Sequence, residues 1–142
     1  MSIILKYKTI KRPDGTTTRC PIVPLTLKGE ETIEYLGLPD SGADVSAIHV
    51  SVAEILGLDV TAKETYSFGI GGKVRSVDSR VNLQISKGHE SYEFTIPVNV
   101  ILDGYDFGIM LLGRKGFFDK FIIKFDETNE KITLKRTGQK IR

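Results

Sequence analysis

Leu38-Pro39-Asp40-Ser41-Gly42-Ala43-Asp44-Val45-Ser46 is the stretch on which the fold turns. It sets a carboxylate, Asp40, directly after residues 31–38, an apolar segment with strand-like composition. A hydroxyl, a glycine and an alanine follow. Asp-Ser-Gly by itself is also an ordinary turn, because Asp and Ser bond nearby backbone and Gly tolerates positive φ. The segment is therefore either a plain turn or a loop that presents an acid/base group at a strand end, and the surrounding sequence has to decide.

Two other segments bear on that decision. Phe68-Gly69-Ile70-Gly71-Gly72-Lys73-Val74 has strand-like residues on both sides and predicts a hairpin with a glycine-rich tip. A phosphate loop fits poorly: Gly72-Lys73 is followed by Val74 rather than Ser or Thr, and the glycines do not match G-x-G-x-x-G. Ile109-Met110-Leu111-Leu112-Gly113-Arg114 reads as a buried strand ending at a glycine. Turn residues at Pro13-Asp14-Gly15, Lys28-Gly29-Glu30, Gly71-Gly72, Lys87-Gly88 and Glu127-Thr128-Asn129 divide the rest. They separate strands predicted at 2–10, 17–27, 31–38, 60–68, 74–85, 91–101, 121–125 and 131–136. Many short strands with regular turns predict a closed or sandwiched all-β fold. One helix interrupts it. Ser51 and Glu54 have capping-box spacing, Val52, Ile55 and Leu56 share a face, and Gly57 is a C-terminal stop. A second short helix is expected at 114–119.

Together, in this order and spacing, the three segments resemble the single-lobe, retropepsin-like aspartic proteases. The resemblance covers roughly residues 17–126 of a chain read as one domain, 1–142, with a C-terminal hairpin and basic tail at 127–142. It implies a closed acid-protease barrel with a flap hairpin and one or two short helices. Asp40 would be the catalytic acid/base. The Ser41 hydroxyl would stiffen the loop, and Gly42 would leave room for a second, identical loop. Ala43, Asp44, Gly69, Ile70, Gly71 and Gly72 would contact a peptide substrate. The resemblance further implies an ion pair between Asp44 and Arg114. Two departures stand out: Pro39 replaces the usual aliphatic residue before the acid, and Ser41 replaces the commoner Thr.

This chemistry needs two carboxylates sharing one proton, one to activate water and one to protonate the substrate carbonyl. Asp14-Gly15 and Asp103-Gly104 lack the middle hydroxyl residue, so the chain holds a single motif. The implied enzyme is therefore a homodimer with Asp40 of each copy on the two-fold axis, acting as an endopeptidase on peptides or unfolded protein. The other classes left open are a non-catalytic peptide-binding module of the same fold and an unrelated β-barrel in which these segments are turns.

Composition agrees with a stable core and narrows the alternatives. At 142 residues the chain can bury about two-thirds of its unfolded surface. A net charge of +2 gives no general basic signature of nucleic-acid binding, and the cationic tail reads as a solvated end. Cys20 is the lone cysteine, and His49 and His89 stand without metal-ligand neighbours, so no disulfide, metal or cofactor is expected. No G-x-S-x-G surrounds Ser41, Ser46 or Ser51, which disfavours a serine hydrolase. No apolar run reaches membrane-spanning length and no signal sequence is visible, so neither a membrane nor a nucleic-acid partner is expected, and the location expected is cytoplasmic.

Overall fold

Alternation of apolar and polar residues drives most of this architecture, since residues two apart on a strand face the same side. Val23, Leu25 and Leu27 are buried while Pro24, Thr26 and Lys28 between them are not, and Ile96, Val98 and Val100 repeat the pattern. The computed structural model describes residues 2–69 and 72–137. Its strands are β1 (Ser2–Lys6), β2 (Lys8–Lys11), β3 (Thr17–Cys20), β4 (Val23–Lys28), β5 (Thr32–Pro39) and β6 (Ser46–His49). After helix α1 (Val50–Leu56) come β7 (Thr65–Gly69), β8 (Gly72–Lys87), β9 (Glu90–Ile101), β10 (Ile109–Leu112), β11 (Phe121–Asp126) and β12 (Lys131–Arg136).

Strands β4-β5-β10-β6-β9-β8 lie side by side, and pairing of β4 with β8 closes them into a six-stranded barrel. Two of the contacts, β5–β10 and β6–β9, are parallel. The β8–β9 hairpin, paired from Ser76↔Ile101 to Lys87↔Glu90, forms the long wall. The first part of β8 extends beyond that wall and pairs with β7 instead. A second sheet, β1-β12-β11, places Ile3, Ile132, Leu134 and Phe121 on the same core, and β2–β3 is a separate hairpin. This is the all-β, retropepsin-like barrel that the sequence implied. Among the described residues no helix is long and apolar enough to cross a membrane.

Several local expectations need correction. The strand expected at 2–10 breaks at Tyr7, which is buried; its N–H makes a last bond to the Glu130 carbonyl in register with β12 before the chain leaves for β2. The strand expected at 17–27 breaks at Pro21-Ile22, where proline has no N–H to give. Residues 60–64 are not strand, and an Asx turn of Asp59 over Thr61 (2.9 Å) occupies the approach. The capping box does not form. The N-cap is His49, whose Nδ1 accepts the Ser51 N–H at 3.2 Å, so Ser51 sits inside the first turn. Gly57 does end α1, at φ +67. No helix forms at 114–119. Gly116 at φ +90 interrupts it, and a Cβ there would lie 2.7 Å from Ile96 Cβ, so the close packing requires glycine. The chain makes a string of turns instead, closed by the Phe118 and Asp119 N–H groups on Gly113 and Arg114 carbonyls.

Candidate active site

Asp40 stands at the end of β5 because β10 runs parallel to it and holds it there. Leu112 pairs with Pro39, and the Asp40 N–H donates to the Leu112 carbonyl at 2.9 Å. Pro39 is compatible with this position. Successive N–H groups of a strand point to opposite edges, so its nitrogen faces the β4 side, where the last pair is already Val23↔Gly37. The missing N–H therefore removes no ladder bond. Beyond Asp40 the chain turns on its own carboxylate: Gly42 N–H donates to Asp40 Oδ1 at 2.9 Å and Ala43 N–H to the Asp40 carbonyl at 3.1 Å. Asp40 is half-buried, and Ser41 and Gly42 are exposed.

The loop then runs against the Leu-Leu-Gly-Arg segment, backbone on backbone. Arg114 and Lys115 N–H groups donate to the Ala43 and Asp44 carbonyls, both at 2.8 Å, and Val45 bridges Lys115. A Cβ on Gly113 would lie 2.4 Å from the Val45 carbonyl carbon, so only glycine permits this approach. Ser46, fully buried, accepts the Gly113 N–H on Oγ at 2.9 Å. Sequence reasoning missed that role, since nothing in the sequence announces a partner sixty-seven residues away.

The expected Asp44–Arg114 ion pair is not present. Arg114 Nη1 donates to the Ser41 carbonyl at 2.7 Å, and no carboxylate lies within salt-bridge distance of it among the described residues. The guanidinium clamps the backbone of the loop directly, because the two strand ends already bring Arg114 alongside residues 41–43. Asp44 is exposed. The Ser41 hydroxyl has no hydrogen-bond partner among the described residues.

Opposite this loop stands the β7–β8 hairpin, paired from Thr65↔Ser76 to Gly69↔Gly72. Ile70 and Gly71, expected at its tip, lie outside the described residues. Between loop and hairpin is a groove of about 650 Å³. Gly42, Ala43 and Asp44 line one side, Phe68, Gly69 and Gly72 the other, and Ile101 and Leu111 lie between. Asp40 itself is not among its walls. The hairpin is anchored at its base. Arg75 donates from Nε and Nη2 to Asp103 Oδ1 (3.1 and 2.9 Å) and from its N–H to Oδ2 (2.8 Å), holding that carboxyl below the usual range. Ser67 and the buried Ser76 share a hydroxyl bond of 2.8 Å.

The 102–108 segment lines a separate, smaller pocket beside Ile101 and Leu111 and carries Tyr105 and Phe107, edge to face at 6.3 Å and both largely exposed. Asp106 pins this segment: it accepts from the Tyr35 hydroxyl at 2.5 Å and the Gly108 N–H at 2.8 Å. Partial burial pulls its carboxyl up, but these donors, with His49 and Ser51, outweigh that and hold it below the ordinary value. Burial, then the bond to Asp106, pushes the Tyr35 hydroxyl well above its ordinary value. Among the described residues no group of His, Cys, Asp and Glu is arranged to hold a metal ion.

A lone Asp-Ser-Gly-Ala loop held by a parallel strand pair, crossed by a Leu-Leu-Gly-Arg segment and faced by a hairpin, defines the retropepsin-like barrel, and the chain has that fold. It is similar to the crystal structure of a retropepsin-like aspartic protease from Rickettsia conorii, with a TM-score of 0.59 and 21% identity over 94% of this chain and 89% of that one. No protein-family model matches the chain, and no curated protein matches it.

Proposed function

We propose that the chain is an aspartic endopeptidase that acts as a homodimer, each copy giving Asp40 to a dyad that shares one proton. The observation that carries this reading is the placement of the Asp40 loop against a groove faced by a glycine-rich hairpin. Two such loops meeting on a two-fold axis would bring two carboxylates together, which a single copy of the motif cannot do. One carboxylate takes a proton from water as it attacks the peptide carbonyl, and the other gives its proton to the carbonyl oxygen. Gly42 leaves the surface of the loop open for its counterpart. A peptide lies extended in the groove, gripped by main-chain bonds, with alternate side chains against Ala43, Ile101, Leu111 and the hairpin.

Asp40→Asn tests this. The variant should fold and dimerise as the parent does and lose turnover of an unfolded protein by at least about a thousandfold, because both carboxylates of the dyad are replaced at once. Retained turnover in a pure preparation would sink the assignment. Binding of a statine-containing peptide without any cleavage by the parent would favour a peptide-binding module. Parent activity should be bell-shaped in pH, since only the singly protonated pair works.

A further inference from the structure

Charge is divided unequally along the chain. Residues 1–20 and 115–142 together hold thirteen Lys and Arg against five Asp and Glu, whereas residues 21–114 hold seven against thirteen. Of these thirteen, the β1-β12-β11 sheet carries Lys6, Lys124, Lys131, Lys135 and Arg136. Directly paired residues of antiparallel strands share a face, and the register therefore fixes what each face carries. Ile3↔Leu134↔Ile123 and Leu5↔Ile132↔Phe125 share the inner face, although Phe125, at its margin, is 43% exposed. The outward rows are Ser2↔Lys135↔Ile122, Ile4↔Thr133↔Lys124 and Lys6↔Lys131↔Asp126.

The outer face thus presents four exposed lysines, Lys6, Lys124, Lys131 and Lys135, around Ile4 and Ile122, which are 49% and 60% exposed. Lys6 and Lys131 stand directly opposite each other, an arrangement that destabilises a sheet in isolation. The ion pairs among the described residues are made by Arg19, Lys28, Arg75 and Lys120, not by these four. The one acid on the face, Asp126, is turned to the Asn129 N–H and side-chain amide. A face-to-face two-fold contact through this sheet would set lysine against lysine, which argues against a second copy as the occupant of the face. It carries no aromatic ring on which a nucleic-acid base could stack. Lysines around exposed aliphatic side chains match a surface that is anionic outside and apolar just beneath.

We propose that the outer face of the β1–β12–β11 sheet docks on an anionic phospholipid bilayer, peripherally and without spanning it. The lysines meet the headgroups, Ile4 and Ile122 enter the headgroup boundary, and residues 21–114, where acids outnumber bases, are repelled, which fixes one orientation on the surface. This inference is independent of the peptidase reading.

The test is sedimentation of the full chain with vesicles of 70% phosphatidylcholine and 30% phosphatidylserine at low salt. Binding is expected there, with none to pure phosphatidylcholine and release at high salt. The quadruple variant Lys6→Gln, Lys124→Gln, Lys131→Gln, Lys135→Gln should bind about a hundredfold more weakly or worse. Ile4→Ser with Ile122→Ser should bind about tenfold more weakly. Circular dichroism checks that each variant folds, and Glu54→Gln, away from the face, should bind as the parent does. Absence of binding to the anionic vesicles, equal binding to neutral ones, undiminished binding by the folded lysine variant, or tighter binding to a single-stranded RNA oligonucleotide than to the vesicles would each overturn the proposal.

Discussion

The two sides of the groove are built on opposite principles. On the floor, the Asp40 loop and the Leu-Leu-Gly-Arg segment touch through their backbones, with Gly113 against Val45 and the buried Ser46 hydroxyl between them. On the β7–β8 hairpin, Gly69 and Gly72 have nothing within 4 Å of where a Cβ would stand, and Phe68 is 80% exposed. One side packs the Asp40 loop backbone to backbone, and the other leaves a strand pair with open space above its anchored base. The difference is one of packing: the floor is closely packed and the hairpin is not.

The contrast can be broken most sharply at Gly113. Gly113→Ala forces backbone apart in a packed crossing and should cost about 3 kcal/mol or more in urea unfolding. A cost under about 1 kcal/mol would mean the crossing is loose. Ser46→Ala should come next, at about 1–3 kcal/mol, because it strands the Gly113 N–H where water does not reach.

Tyr35→Phe, which removes the donor to Asp106 in the 102–108 segment, should cost less, about 0.5–1 kcal/mol after allowance for the partial exposure of the pair. Its effect carries a pH signature. The Asp106 carboxyl is depressed, so its share of stability is present above the ordinary Asp value near about 4 and is lost as pH falls through the depressed one. The Tyr35 hydroxyl is raised, so its share is present below about 10 and is lost as pH climbs past that. The difference between parent and variant should therefore be flat at neutral pH and shrink at both ends. A difference that stays constant down to pH 2 would show that the two groups are not coupled. Smallest of all, Gly69→Ala should move stability by no more than about 0.5 kcal/mol; a loss rivalling that of Gly113→Ala would erase the contrast.

What could be read from the sequence follows the same division. Asp40-Ser41-Gly42-Ala43 and Leu111-Leu112-Gly113-Arg114 were legible because local chemistry ties residue types to a tight turn and a close approach. The strand pattern was legible from alternation, and the barrel followed from it. The contacts that link distant segments were not legible. Arg114 reaches the Ser41 carbonyl rather than Asp44 because the parallel pairing of β5 and β10 fixes their relative height, and no spacing in the sequence encodes that height. His49 displaces Ser51 as the cap because β6 runs without a break into α1, a strand hidden inside what looked like loop. Gly116 ended the expected helix only through its contact with Ile96, twenty residues upstream on another strand.

The pairing of β1 with β12 also governs how the chain must assemble. Ser2 lies beside Lys135, so β1 waits for a strand made about 130 residues later before it has a neighbour. Closing so long a loop comes late in folding and slows it, because the entropy of bringing distant segments together is lost before their contacts form. Until residues 131–136 emerge, Ile3 and Leu5 have no β12 to cover them. A nascent chain stalled before Lys131 should therefore hold a formed β8–β9 hairpin and an open, chaperone-accessible edge, and this core is complete only once residues 131–136 have been made.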